Sequence, residues 1–415
     1  MRPKSSVLAP AAMLALALAL WAPPVRGDDP DPDPDLAPPR FTFSGFGTLG
    51  VVHSSEGQAD FTSTIFKPDG AGHTRAWSPQ VDSLIAGQAT GRITSKLMAA
   101  VQVISEQKYD GTYWPHVEWA SLKYQFTPDF SVRLGRTVLP VFMVTDARKV
   151  GYANPWVRPP VEVYGLVPIT TNDGADLSLR SRVRGMTNTL QVTAGRSDAR
   201  FPNGGGDEFA TAKARESVTV VDTVERGFAT VRLNYGRTRF TIPEFRPLFD
   251  AFRQFGPEGA AIAERYDVRD RPVEFVGVGA SYDPGRWFVM AEWGRVRIHT
   301  LFGQRTGWYV SGGHRIRKAF TIHVTYASAK VRGSTSDPGL TVSALPPPLA
   351  ETAAGLNGAL NSLLSNKVVQ NTISVGGRWD LTKSAALTLQ LDRSDFGEGS
   401  AGPLMNLQPG FERGG

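Results

Sequence analysis

Residues 319–330 read AFTIHVTYASAK. Phe320, Ile322, Val324 and Tyr326 fall on one face of an extended chain, and Thr321, His323 and Thr325 on the other. A repeat of two is the period of a β-strand with one apolar and one polar face, and a helix would mix the two sets. Further along, Ile373, Val375 and Trp379 oppose Thr372, Ser374 and Arg378, and Leu387, Leu389 and Leu391 oppose Thr388, Gln390 and Asp392. From Phe41 to Asp392 about fifteen segments of this kind follow one another, with almost no helical periodicity between them. Two stretches are exceptions, 245–266 and 349–364 (ETAAGLNGALNSLL at its end), where Ala and Leu recur at helical spacing.

The connections between strands alternate in length. Ser95-Lys96, Thr127-Pro128-Asp129, Arg184-Gly185-Met186, Gly236-Arg237-Thr238, Asp283-Pro284-Gly285, Ile316-Arg317-Lys318 and Asp380-Leu381-Thr382-Lys383 read as tight turns. Between them lie longer connections near 53–82, 108–115, 137–173, 196–226, 242–271, 300–306 and 332–367. A soluble sandwich has no reason to alternate in this way. A transmembrane barrel does, since its turns are tight on one side of the membrane and its loops long on the other. Aromatic residues gather near the tight turns: Tyr124, Phe126 and Phe130 at one, Tyr235 and Phe240 at another, Tyr282 and Trp287 at a third, with Phe320 and Trp379 beside two more. Such rings favour the membrane–water interface. The sequence therefore predicts an all-β chain, a transmembrane antiparallel up-and-down β-barrel.

Composition agrees by exclusion. Of 415 residues 41% are hydrophobic and 20% charged, and there is no cysteine, which removes disulfide scaffolds, thiolate metal sites and cysteine nucleophiles. A mean hydropathy of −0.20 is too polar for a bundle of membrane helices. Residues 1–27 read as a signal peptide: Arg2 and Lys4 precede an apolar stretch from Val7 to Leu20, and Val25-Arg26-Gly27 offers a cleavage site. Three of the 45 basic residues lie there, so the remainder carries 42 basic against 39 acidic and has no basic, aromatic-interleaved patch for nucleic acid. Residues 28–40 begin DDPDPDPDLAPP, a proline-stiffened, acidic periplasmic linker. The barrel domain is 41–415.

These residues resemble the Gram-negative outer-membrane porin family, the trimeric, sixteen-stranded general porins. The likeness is carried by the opening strand FTFSGFGTLG (41–50), the turn region KYQFTPDFSVRLGR (123–136) and the long loop GYANPWVRPPVEVYGLVPITTNDGADLSLR (151–180). It implies an outer-membrane location, a homotrimer in lipid, no cofactor, and passive diffusion of small hydrophilic solutes and ions. It also implies that the third long loop, 137–173, folds into the lumen as a constriction. The chain departs from the pattern at its end, because members of the family close with a strand bearing a terminal aromatic whereas this chain ends FERGG. The expectation is a sixteen-stranded type with its last strand missing.

In the resembled family, acids on the third loop face arginines on the wall across a narrow slot. The matching residues are Asp146 and Glu162 on the loop, with Arg148 and Tyr164 beside them, and Arg133, Arg180 and Arg182 on the wall. Other inward-facing positions by strand phase are Arg92, Lys123, Arg232, Arg315, His323 and Arg378, opposed by Asp82, Asp176, Glu292 and Asp392. The excess of cations predicts a weak anion preference. Gly45-Phe46-Gly47-Thr48-Leu49-Gly50 matches a dinucleotide fingerprint in letters alone, because no helix follows it. The six histidines form no metal-binding motif. The alternatives on the same barrel are a substrate-specific channel, marked by lumenal aromatics, an outer-membrane enzyme, marked by a Ser–His contact, and a barrel with a sealed lumen.

Overall fold

A computed structural model describes residues 40–203, 208–317 and 319–414, together with the backbone of Ala11–Leu18. Fifteen long strands follow residue 40: β2 (Phe41–His53), β3 (Leu84–Arg92), β4 (Leu97–Glu106), β5 (His116–Thr127), β6 (Phe130–Val138), β7 (Thr171–Val183), β8 (Met186–Pro202), β9 (Phe209–Arg226), β10 (Ala229–Thr241), β11 (Arg271–Tyr282), β12 (Trp287–Ile298), β13 (Gln304–Ile316), β14 (Phe320–Arg332), β15 (Gln370–Asp380) and β16 (Ala385–Phe396). Each pairs antiparallel with its sequence neighbours, giving an up-and-down sheet.

The remaining place is taken by Ala11–Leu18 (β1). It lies antiparallel to β16, from Ala11 opposite Asp392 to Leu18 opposite Ala385, and antiparallel to β2, from Met13 opposite Val52 to Leu18 opposite Gly47. The fifteen strands expected after residue 40 are present. The sixteenth is supplied by the apolar run read as part of a leader, where sequence analysis expected none. Two sheet edges facing an apolar medium each need a partner for their backbone groups, and an apolar segment serves both. Residues 397–414 add nothing to the wall, and Leu404–Met405 instead pairs with Asp60–Phe61 in a small sheet with Ala71–Gly72. The cleavage site and the acidic linker over 28–39 lie outside the described residues.

The predicted alternation holds along β14. Phe320, Ile322, Val324 and Tyr326 are 41%, 43%, 52% and 42% exposed, against 8%, 2% and 2% for Thr321, His323 and Thr325. Leu179, Leu233, Val278, Val310, Val375 and Leu391 repeat the pattern on the outside. An apolar outer surface with a polar inner one is inverted relative to a soluble protein and suits lipid. Near the tight turns Tyr124 meets Phe126 at 4.7 Å between ring centroids, and Tyr282 meets Trp287 at 5.3 Å and Phe228 at 6.3 Å.

One stretch differs from the sequence reading. Gly236-Arg237-Thr238 lies inside β10, and the turn is at Gly227-Phe228, because residues 209–226 form the 18-residue strand β9 and no long loop. Charges from Lys213 to Glu216 masked the alternation of β9, and a register shift between Arg215 and Val218, with Glu216 at φ 51°, breaks its phase. Tyr235 is thus a mid-strand outward residue, and Phe240 packs inside. The ring at this turn is Phe228. Both helical stretches are confirmed, as α2 (Arg246–Arg253) with α3 (Gly256–Tyr266), and α4 (Pro347–Leu364). A short helix, α1 (Val161–Tyr164), lies in the third long loop.

A charge in the outer band has no partner in hydrocarbon. Val324→Arg, on the outward face of β14 between Gly312 and Val375, should lower the unfolding free energy in lipid vesicles by about 2–4 kcal/mol. Thr187→Arg, on the inward face of β8 beside Glu225, should cost less than about 1 kcal/mol, and urea titration of both variants checks the contrast.

Candidate functional site: a loop bound to the barrel wall

The chain between β6 and β7, residues 139–170, leaves the wall and crosses the lumen. Its ends are tied together by the Leu139 N–H, which donates to the Thr170 carbonyl at 2.8 Å. Its first limb meets β10 and β12. Asn234 donates to the Val141 carbonyl at 2.8 Å, Arg232 donates to the Phe142 carbonyl, and the Met143 N–H donates to Glu292 at 2.9 Å. Glu292 also accepts the hydroxyls of Tyr164 and Tyr309, both at 2.7 Å. Three donors on one buried carboxylate hold two parts of the loop against β12 and β13, and satisfy a charge that would otherwise be costly to bury.

The next limb reaches the opposite side. The Lys149 ammonium lies 2.6 Å from Glu106 and 3.0 Å from Glu118, and Thr170 donates to Glu118 at 3.0 Å. Glu106, His116 and Glu118 could offer ligands to a metal, yet Lys149 already donates to both carboxylates. Beyond it Arg378 donates to the carbonyls of Tyr152 and Asn154, and Gln390 accepts the Val157 N–H at 3.2 Å. Trp156 is 1% exposed, and its indole N–H is shared between Ser311 at 2.9 Å and Thr325 at 3.0 Å. Arg158 forms a two-point pair with Asp82. Gln370 donates to the Glu162 carboxylate.

Close approach of loop and wall requires small residues on the wall. Gly277, Gly294, Gly307 and Ala329 face one another across β11 to β14. A Cβ at Gly307 would stand 2.1 Å from the Glu162 carbonyl oxygen, so a larger residue there would displace the loop. This row of small residues is visible in the sequence once the register is known, and sequence analysis missed it, as it missed the roles of Trp156 and Tyr309.

The structure does not bring the expected loop acids opposite the expected wall arginines. Glu162 lies against β15, buried, because Gln370 is the donor within reach. Asp146 is exposed in a niche with Glu118, Trp119 and Lys149. Arg133 pairs with Asp176 at 3.1 Å, and Arg182 pairs with Asp129 at 2.8 Å next to a tight turn, two strand positions beyond Arg180. Arg148 donates to the Tyr164 carbonyl at 3.2 Å and lies over its ring. Arg378 also pairs with Asp380, and Arg315 with Asp283. His323 faces inward as expected, and it is buried with neither ring nitrogen bonded. Arg92, Lys123 and Arg180 are inward and exposed, and among the described residues their side chains have no acidic partner.

Above the loop, α2, α3 and α4 close around Phe249, Phe252, Ile262, Leu360 and Leu364. Asp337 ties α3 to α4, accepting Tyr266 at 2.7 Å and Arg265 at 2.9 Å, while its own N–H donates to Asn361 at 2.8 Å. Burial pushes the Asp337 carboxyl up, but the Tyr266 hydroxyl, the Gly339 N–H and Arg265 outweigh it and hold the pKa below the usual carboxylate value.

Comparison with solved structures finds similar chains among outer-membrane channels. The chain is similar to the outer membrane channel DcaP of Acinetobacter baumannii at 11% identity, covering 95% of this chain and 99% of that one, with a TM-score of 0.47. It is similar to Salmonella typhi OmpF, in a complex with daunomycin, at 9% identity over 93% and 96% of the two chains, with a TM-score of 0.45. It is also similar to an anion-selective porin from Comamonas acidovorans at 11% identity over 93% and 98%, with a TM-score of 0.32. No family model and no curated protein matches the sequence.

The depressed carboxyl of Asp337 gives the helical cap a pH dependence. Its contribution is fully present above the ordinary carboxyl pKa of about 4 and is lost as pH falls through the lowered folded value. Amide exchange over Gly256–Tyr266 and Pro347–Leu364, corrected for intrinsic rates, should therefore accelerate between about pH 7 and pH 3, and Asp337→Asn should remove that difference.

Proposed function

We propose that this protein is a non-enzymatic outer-membrane porin, a passive diffusion channel for small hydrophilic solutes and ions with weak anion preference, assembled as a homotrimer. The observation that carries the reading is one row of wall residues. Arg92, Met98, Lys123, Arg133 and Asp176 lie opposite one another from β3 to β7, all facing inward. Three cations against one acid, with Arg180 two pleats nearer the tight turn, leave a positive field on that side of the lumen. Charged rings of this kind set ion preference in wide pores. Other inward arginines are paired, Arg158 of the loop with Asp82 and, on the wall, Arg315 with Asp283 and Arg378 with Asp380, which supports a weak preference rather than a strong one.

The loop over 139–170 makes the passage narrow. Its anchors reach the turn before β3 and strands β4, β5, β10, β12, β13, β14, β15 and β16, so it crosses the lumen instead of lining one side.

Planar-bilayer recording of the purified chain under a salt gradient tests the first reading. Discrete steps with a reversal potential favouring anions are expected, and replacing Arg92, Lys123 and Arg180 together by Gln should move that potential toward cations. Arg158→Ala should enlarge the step, because the loop loses its anchor to Asp82. Cation-favouring reversal in the unaltered protein, or no steps at all, would overturn the reading.

A further inference from the structure

Between the first limb of the lumenal loop and the wall from β8 to β13 lies a cavity of about 200 Å³. Its lining is mostly apolar and includes Val141, Leu166, Phe240, Phe275, Val296 and Phe302. Water-filled barrels are polar inside, so an apolar chamber of this size is out of place in a lumen that passes only hydrated ions.

Two arginines border the chamber, Arg237 and Arg305. Arg237 is exposed and on the outward phase of β10, since its neighbour Gly236 is paired with the buried Phe275, so Arg305 is the one that faces in. Arg305, on the inward side of β13, is opposite Val296 and Val331. Its single hydrogen bond is a long one, 3.4 Å from NH2 to the Leu166 carbonyl, and its Nε is buried without a partner. Among the described residues no carboxylate lies within ion-pair distance of it. A guanidinium in apolar surroundings is costly unless an anion pairs with it, and its planar fork matches a carboxylate at two points. Other inward arginines are better satisfied: Arg158 of the loop pairs with Asp82 and Arg378 with Asp380, and Arg232 donates to Thr223 at 3.1 Å and to the Phe142 carbonyl.

Size fixes the rest of the occupant. An apolar protein cavity of about 150 Å³ accommodates benzene, so the present one holds one ring, or a short alkyl chain, together with a carboxylate. We propose that this chamber binds a small organic acid with a single-ring or short-chain body, the carboxylate on Arg305 and the body among Phe240, Phe275 and Phe302. The proposal deepens the channel reading, on which it rests for the ligand's route, by naming a class of solute that the lumen selects.

Benzoate is the probe, titrated calorimetrically into the full chain in detergent, with benzyl alcohol as a neutral molecule of similar shape. Benzoate should bind at least tenfold more tightly than the alcohol. Arg305→Gln should abolish that preference while leaving the alcohol's binding unchanged. Ala214→Leu, which fills the chamber from β9 with another apolar side chain, should weaken both. Equal binding of acid and alcohol, benzoate binding undiminished in Arg305→Gln or Ala214→Leu, or no binding, overturns the proposal. Single-channel currents recorded without benzoate separate it from the channel reading. Binding without current steps would leave the site standing and remove the channel, and steps without binding would do the reverse.

Discussion

The Glu292 carboxylate is the point on which the interior turns. It sits on the wall, buried, and takes a backbone N–H from Met143 and the hydroxyls of Tyr164 and Tyr309. Two of those donors come from separate parts of one loop, some twenty residues apart, and the third from the neighbouring strand. A buried carboxylate tolerates few arrangements, since each lost donor leaves part of a charge unsatisfied. The loop is thereby folded back on itself at one place, and Phe142, Trp156 and Tyr164 are pressed onto Phe275 and Tyr309 as one apolar cluster. The anchors at Lys149, Arg158 and Glu162 then fix where the remaining limbs cross.

The wall makes this possible through what it omits. Gly277, Gly294 and Gly307 give the loop room to lie against β11, β12 and β13, and their outward neighbours Val276, Trp293 and Trp308 still face the lipid side. Glycine in a strand weakens it, and here the lost packing is offset by the loop that fills the space. Ion pairs are distributed by the same logic. Arg158 and Lys149 are loop cations held by wall acids, whereas Arg92, Lys123 and Arg180 meet no loop acid among the described residues and remain exposed.

The division of the lumen follows from where the loop goes. On the β3 to β7 side the wall keeps exposed cations, and on the β8 to β13 side the loop covers the wall and leaves an apolar cavity that Arg305 faces. One barrel thus carries an exposed cationic stretch of wall and an apolar cavity. These are different chemistries, and they follow from covering one half of a polar wall and leaving the other bare.

Strand periodicity was legible in the sequence because lipid on one side and lumen on the other impose a repeat of two on every wall segment, as along Phe320 to Tyr326. It failed only at β9, where charges above the apolar band and the shift at Glu216 hide the repeat. The segments destined for α2, α3 and α4 were likewise legible from helical spacing. The place of Ala11–Leu18 was not, since an apolar run reads alike as a leader or as a strand, and only pairing with β16 and β2 distinguishes its position. The candidate site was readable as a loop and not as contacts. Phase gave Arg133, Arg180 and Arg182 their face, but Glu162 meets Gln370 across 208 residues and Trp156 meets Thr325 across 169. Local sequence dictates which way a strand residue points, because its neighbours on the same strand share the constraint. Which wall a loop residue touches depends on how the whole sheet curves around it, and that is decided by the tertiary structure alone.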